Sequence, residues 1–273
     1  MAAFLDLAEG LGNNDRVYSD AHLHLVDLCG RDPDFGAAIP GRDWVGAVVS
    51  HGIAEFARSE ALRAGLQPTV AGFGIHPQGI RMDTMNFLAG LAASRRIAFI
   101  GEAGFDFFGD RPERVRNGEN LRVQAACFEF QLDLGLKHDL ALLVHSRKAT
   151  DLLLGYGKKL SRLPAVIFHG WPGRLEEART FLAKGVRAYF SFGTTLLRDA
   201  RHARESCSAL PAECILSETD APWQPPKGRD WTGADSIVEV TSAMAGLRGL
   251  SPETMQLLLR RNFEAAFGKA GKP

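Results

Sequence analysis

The chain alternates short apolar, β-prone runs with longer amphipathic segments, and this alternation limits its fold more than any other feature. Strands that alternate with helices form a parallel sheet, and eight such strands close a barrel. Eight runs predict strands, at residues 16–22, 44–50, 68–74, 97–101, 141–145, 165–169, 187–191 and 213–217. We therefore predict an α/β fold, a TIM-like (β/α)8 barrel with its active site at the carboxyl ends of the strands. An open doubly wound sheet is the alternative, but no G-x-G-x-x-G follows the first strand.

The 273 residues of the chain suit one barrel domain. Residues 1–15 are predicted to be an N-terminal extension, and residues 16–273 the barrel. Helices are predicted at residues 55–64, 85–94, 121–136, 149–160, 175–184, 195–207, 234–247 and 251–267. Residues 104–120 are rich in charge, Phe and Gly, and they are the main candidate for an active-site loop.

Composition narrows the environment and the partners. The formal net charge is zero and the pI is about 7.1, which argues against a global electrostatic grip on a nucleic acid but not against a locally held strand. The four cysteines form no C-x-x-C pair, so reduced thiols and a cytoplasmic location are expected. No signal peptide and no apolar run of about 20 residues is apparent, so no membrane contact is predicted.

Two histidines close the first predicted strand, in Asp20-Ala21-His22-Leu23-His24. Residues i and i+2 of a strand point to the same side, so His22 and His24 aim two imidazoles at one point. Neutral imidazoles that converge in this way suit a divalent metal, although an isolated H-x-H is a weak motif.

Further polar residues occupy equivalent positions at the ends of other predicted strands. In a barrel these ends converge on one pocket, whereas chance would scatter histidines over both rims and the helices. The residues are His76, Glu102, His145, His169 and Asp220.

This set suits two divalent ions, which are predicted to be zinc, manganese or magnesium. Strands 1 and 8 are neighbours in a closed barrel, so His22, His24 and Asp220 are expected to share one ion. His145 and His169, from strands 5 and 6, are expected to hold the other. Glu102 is the predicted bridge, since no lysine ends a strand to replace it as a carbamate. Asp220 is also the predicted general base.

The ordered motifs of the chain resemble those of the TatD-type metal-dependent deoxyribonucleases, from about residue 18 to residue 268. The resemblance implies a TIM-like barrel, divalent metals and hydrolysis of DNA phosphodiesters, commonly from a 3′ end. The matching motifs are Asp20-Ala21-His22-Leu23-His24, Gly74-Ile75-His76-Pro77, Gly101-Glu102-Ala103-Gly104-Phe105-Asp106, Val144-His145-Ser146-Arg147 and Glu218-Thr219-Asp220-Ala221-Pro222.

The chain departs from the family pattern at three places. Members usually carry His-Cys-Phe-Ser-Gly at the sixth strand, where this chain has His169-Gly170-Trp171-Pro172-Gly173. Phe105 replaces a usual leucine, and Trp231-Thr232-Gly233-Ala234 replaces an acidic stretch. These changes affect substrate contacts rather than the expected ligands.

A second group of residues is predicted to contact substrate or to orient a ligand. A partly exposed tryptophan can stack on a base, and a buried carboxylate can fix the tautomer of a histidine ligand. The group comprises His76, Asp106, Arg147, Glu218, Trp171 and Trp223.

The expected function is hydrolysis of DNA ends or short single-stranded DNA by a metal-activated water. A barrel hydrolase of a small phosphoester, amide or lactone is the alternative, since the same metals would serve. A non-catalytic binding module on this fold is the second alternative. A complete set of buried acids and histidines would be costly to keep without metal, which argues against that module.

Overall fold

The computed structural model describes residues 17–32, 44–66, 69–198 and 200–268. Eight strands form one sheet, paired in parallel in the order β1 to β8, and this confirms the predicted barrel. The strands are β1 (Tyr18–Leu23), β2 (Trp44–Val48), β3 (Thr69–Phe73), β4 (Phe99–Asp106), β5 (Ala141–Arg147), β6 (Val166–Phe168), β7 (Ala188–Phe192) and β8 (Ile215–Ser217). The predicted extension at residues 1–15 lies outside the described residues.

Strand β4 is longer than its sequence pattern predicts. It continues through Glu102 to Asp106, because residues 103–106 pair with residues 144–147 of β5 after a register shift that follows Ile100. Glu102 therefore lies within the strand rather than after it. For the same reason the predicted loop at residues 104–120 begins later than expected.

The helices lie close to their predicted positions, with three differences. The helix predicted at 149–160 is divided at Tyr156, the helix predicted at 195–207 begins only at Arg201, and a short helix after β1 was not predicted. The helices are α1 (Leu25–Arg31), α2 (Ile53–Arg63), α3 (Met85–Ala93), α4 (Gly118–His138), α5 (Thr150–Gly155), α6 (Gly157–Leu160), α7 (Leu175–Ala183), α8 (Arg201–Ala209), α9 (Ser236–Arg248) and α10 (Pro252–Phe267). In the described ranges no helix is both long and apolar enough to cross a membrane.

The last helix closes the amino-terminal end of the barrel. Phe263 and Phe267 of α10 belong to the same buried cluster as strand residues such as Phe99 and Leu143. The rings of Phe99 and Phe267 have centroids 5.0 Å apart. Helix α10 begins as predicted, because the Ser251 side chain accepts a hydrogen bond from the Thr254 N–H and Pro252 opens the first turn. The polar side chains of the strand ends lie at the opposite, carboxyl-terminal end of the barrel.

Side chains as well as backbone groups join β1 to β8. Asp20 is fully buried and accepts hydrogen bonds from the Thr219 N–H (3.0 Å) and the Thr219 hydroxyl (2.7 Å). Ser217 Oγ donates to the Ser19 carbonyl at 2.6 Å. Beyond the end of β8, the Asp220 N–H donates to the His22 carbonyl of β1 at 3.0 Å. Closure therefore brings the first histidines of the chain beside Asp220, almost 200 residues later.

Candidate metal centre

The site is built around the carboxylate of Glu102, which is 2% exposed at the carboxyl end of the barrel. Strand β4 lies in the middle of the strand order, so the side chain of Glu102 reaches residues from both halves of the barrel. The two oxygens of the carboxylate face different sets of side chains. The site therefore has two halves, each with its own carboxylate oxygen.

Glu102 Oε2 faces the β1 side of the barrel. His22 Nε2 and His24 Nε2 each lie 3.5 Å from this oxygen. The same two nitrogens lie 3.2 and 3.4 Å from Asp220 Oδ1. Two imidazoles and two carboxylates thus meet in one small volume, as their strand positions predicted.

Glu102 Oε1 faces the opposite half of the site. His169 Nε2 lies 2.8 Å from this oxygen and His145 Nδ1 lies 3.1 Å from it. His76 Nε2 is also close, at 3.6 Å from Glu102 Oε1 and 3.3 Å from His145 Nδ1. The structure therefore brings His76 among the ligand candidates, where the sequence favoured a contact with substrate.

The donor atoms fit a divalent cation. Three groups of side chains offer ligand atoms within 4.8 Å of one another: His22, His24 and Glu102; His22, His169 and Asp220; and His76, Glu102 and His145. Neither ring nitrogen of the fully buried His22 has a hydrogen-bond partner among the described residues. A buried polar atom without a partner is costly, and a bound metal would satisfy it.

Electrostatics keep both carboxylates ionised. Burial alone would raise the pKa of Glu102, but the surrounding imidazoles, His22 and His169 foremost, outweigh it and hold that pKa well below its usual range. Burial likewise opposes ionisation of Asp220, and the adjacent imidazoles of His22 and His24 still lower its pKa. Burial lowers the pKa of His76 to about 3 and so favours its neutral, ligating form.

Asp106 and Glu218 lie behind the histidines of this centre. His145 Nε2 donates to Asp106 Oδ2 at 2.9 Å, which leaves His145 Nδ1 to face Glu102. Glu218 Oε1 lies 3.8 Å from His169 Nδ1. The Asp106 hydrogen bond can fix the tautomer of His145, whereas the Glu218 distance is too long for a hydrogen bond, so the orienting roles of both residues stay predictions.

Two buried glutamines of helix α4 fix the backbone next to the site. Gln131 accepts from the Ile75 N–H (2.8 Å) and donates to the Ile75 carbonyl (3.1 Å). Gln124 makes the same pair of bonds with Asp106, at 2.9 and 3.0 Å. The two glutamines are seven residues apart and lie on one helix face. Each thus holds the chain beside a site residue, His76 in one case and Asp106 in the other.

Aromatic and basic side chains line the mouth of the site. A cavity of about 440 Å³ is lined by the histidines and carboxylates together with Arg147 and Trp223. Trp223 is 44% exposed, and the Arg31 guanidinium lies 5.7 Å from its ring centroid. The ring of the exposed Phe108 has two cations nearby: the Arg147 guanidinium lies 5.8 Å and Lys148 Nζ lies 5.2 Å from its centroid.

The predicted substrate contact by Trp171 is wrong. Its side chain is 2% exposed and packs in the core on Phe168 and Phe190, with ring centroids 5.5 and 4.7 Å away. No face of the ring is open to a base. The sequence showed only that this residue follows a strand, and the packing of its side chain decided its direction.

His51 was not among the predicted site residues. It lies three residues after β2 and directly after the strand predicted at residues 44–50, so the strand-end rule that selected the other histidines also applies to it. Its Nε2 lies 3.1 Å from Glu102 Oε2. Of the chain's other histidines, His138 ends helix α4 and His202 lies on α8.

Comparisons with known proteins agree with this geometry. Residues 19–268 match the family model described as TatD related DNase. The chain belongs to this family.

The hydrolase TatD of Mycobacterium tuberculosis is a TatD relative along almost the whole chain. It is 30% identical over 91% of this chain and 97% of its own length, and is named an uncharacterized metal-dependent hydrolase. The 3'-5' ssDNA/RNA exonuclease TatD of a Pantoea species is 32% identical over 56% of this chain, and the alignment spans 58% of that enzyme. The crystal structure of the TatD homolog YjjV of Escherichia coli has a TM-score of 0.81 at 24% identity, covering 93% of this chain and 99% of that one.

These TatD relatives confirm two of the sequence predictions. The chain is a metal-dependent hydrolase of the TatD family, and its fold is the TIM-like barrel of that family. The ligand and substrate roles of individual residues remain predictions. The distances between the side chains show which candidates lie near each oxygen of Glu102.

Replacing Gln131 by leucine should destabilise the protein, because the N–H and carbonyl of buried Ile75 would lose the two bonds described above. Each unpaired group costs about 1–3 kcal/mol in the free energy of unfolding. Ala126→Leu places the same side chain on the exposed face of α4 and should change that free energy by less than about 0.5 kcal/mol. Urea denaturation measures both. Equal stability of Gln131→Leu and wild type would contradict the assigned role.

Proposed function

We propose that this protein hydrolyses phosphodiester bonds at the ends of single-stranded DNA, using two divalent ions held on either side of Glu102. The observation that carries the proposal is the arrangement of the two Glu102 oxygens, each of which faces its own set of imidazoles. A carboxylate that offers one oxygen to each half of a site is suited to bridge two cations.

The ligand sets follow from the distances. His22, His24 and Asp220 would hold one ion with Glu102 Oε2, and His145 and His169 would hold the other with Glu102 Oε1. Nitrogen and carboxylate donors together suit zinc or manganese, and magnesium prefers oxygen. Zinc, manganese and magnesium are therefore the ions to test.

The residues around this centre have different roles in the proposed hydrolysis. When bound, divalent ions make water a nucleophile near neutral pH and stabilise charge on phosphoryl oxygens. Asp220 is ionised and lies beside His22 and His24, so it can accept the proton of the attacking water. Gln224 Nε2 donates to Asp220 Oδ2 at 2.5 Å, which leaves Oδ1 directed into the site. No side chain is needed as a nucleophile.

A nucleic-acid substrate is supported by the cavity mouth and by relatives. Exposed aromatic rings stack on bases without strong sequence preference, and cations beside them can meet phosphates. Trp223 with Arg31, and Phe108 with Arg147, offer both features at the site or beside it. Local placement of these groups removes the objection from the neutral net charge. Several relatives are named single-stranded DNA/RNA exonucleases.

Substrate choice tests this proposal directly. Purified protein should shorten a labelled linear single strand in the presence of Mn²⁺, Mg²⁺ or Zn²⁺, and chelation should stop the reaction. The comparison set is the same strand with a blocked 3′ end, a circular single strand, bis(p-nitrophenyl) phosphate and a simple lactone. Lactone or small-ester turnover without strand cleavage would support the small-substrate alternative instead. Cleavage of the circle at the same rate would contradict action at ends.

Replacing Asp220 by asparagine should lower kcat by about 10²–10⁴-fold, because the amide cannot accept the proton. KM should change much less at saturating metal. Asp139→Asn is the matched control, since Asp139 is exposed and has nearly the same left-handed backbone (φ 54° against 57°). Steady-state kinetics on the single strand measure the effect. Unchanged kcat in Asp220→Asn would exclude Asp220 as the base.

A further inference from the structure

Six of the chain's eight histidines surround the Glu102 carboxylate, and they divide evenly between its two oxygens. Around Oε1 lie the three nitrogens of His76, His145 and His169. Around Oε2 lie His22 Nε2 and His24 Nε2, each at 3.5 Å, and His51 Nε2 at 3.1 Å. His51 is thus nearer to this oxygen than either predicted ligand.

The other ring nitrogen of His51 indicates its tautomer. Nδ1 lies 3.0 Å from the Gly74 carbonyl. A carbonyl oxygen only accepts hydrogen bonds, so Nδ1 carries the proton and, in the neutral ring, Nε2 presents a lone pair. This lone pair then faces an ionised carboxylate oxygen. Two acceptor atoms at that distance repel each other unless a proton or a metal ion lies between them.

The backbone of His51 is also held in place. Its N–H donates to Glu55 Oε2 at 2.8 Å, and the Gly52 N–H donates to the same oxygen at 3.1 Å. These bonds cap the start of helix α2 and fix the point where the chain leaves β2. The His51 ring lies 5.7 Å from the His24 ring, between centroids. His51 therefore reaches the half of the site that contains His24.

We infer that His51 Nε2 is a further ligand to the ion at the His22, His24 and Asp220 side. This inference rests on the proposed metal centre and adds a residue to it. The ion would have three imidazole nitrogens and two carboxylates around it. Imidazole suits zinc and other transition metals, whereas Mg²⁺ prefers oxygen ligands. His51 should therefore bias this half of the site toward Zn²⁺ over Mg²⁺.

Metal titration of variants tests the inference without an activity assay. The proteins are wild type, His51→Ala, His51→Asn and His202→Ala, each freed of metal by a chelator and checked for folding by circular dichroism. His202 is exposed on α8, so its variant controls for loss of any histidine. Zn²⁺ and Mg²⁺ affinities come from calorimetry, and Co²⁺ absorption spectra report the ligand set.

In wild type and in His202→Ala, two Zn²⁺ ions should bind. In both His51 variants one of these sites should lose at least about 10–100-fold in Zn²⁺ affinity, the loss that is typical when a hydrogen-bonding partner of a ligand is removed. The affinity for Mg²⁺ should fall less. The Co²⁺ spectrum of that site should change while the other site stays the same.

Three results would overturn the inference. The first is unchanged Zn²⁺ affinity and an unchanged Co²⁺ spectrum in His51→Ala and His51→Asn. The second is weaker Zn²⁺ binding with an unchanged Co²⁺ spectrum, which would make His51 a hydrogen-bonding neighbour of Glu102. The third is an equal loss in His202→Ala. In all three the wild type still binds two ions and the proposed function stands, whereas a wild type that binds no divalent ion would remove the proposed function itself.

Discussion

The structure of the site depends on one buried charge, the carboxylate of Glu102. A carboxylate at 2% exposure is costly unless positive charge or hydrogen-bond donors surround it. Here imidazole nitrogens lie 2.8–3.6 Å from its two oxygens, and neutral imidazoles can satisfy it only through protons or metal ions. Divalent cations on both sides would balance the buried negative charge and would also bind the lone pairs of the imidazole nitrogens around it.

Closure of the barrel brings the residues of this cluster together. Asp20 accepts two bonds from Thr219, and Ser217 bonds the Ser19 carbonyl, so the two ends of the sheet meet. That contact brings Asp220 to His22 and His24. Glu102, on a strand midway between, then reaches both this group and the histidines of β5 and its neighbour. Barrel topology, rather than any local motif, therefore assembles the two halves of the site.

Much of this arrangement could be predicted because strand ends converge in a barrel, a rule that depends only on sequence order. It identified His22, His145 and Asp220 among others, and it would have identified His51 if applied to every strand. The rule does not give the direction of a side chain, so it could not predict that Trp171 lies in the core. It does not give strand length either, because the extension of β4 depends on pairing with β5.

Anomalous diffraction from crystals grown with Mn²⁺ or Zn²⁺ tests the central claim most directly. Data collected above and below the absorption edge of the metal show where each ion lies. We expect two peaks, one within coordination distance of each Glu102 oxygen, roughly 2.0–2.2 Å for zinc, and about 3.5–4 Å apart. A single peak that does not contact Glu102, or no peak at saturating metal, would contradict that claim.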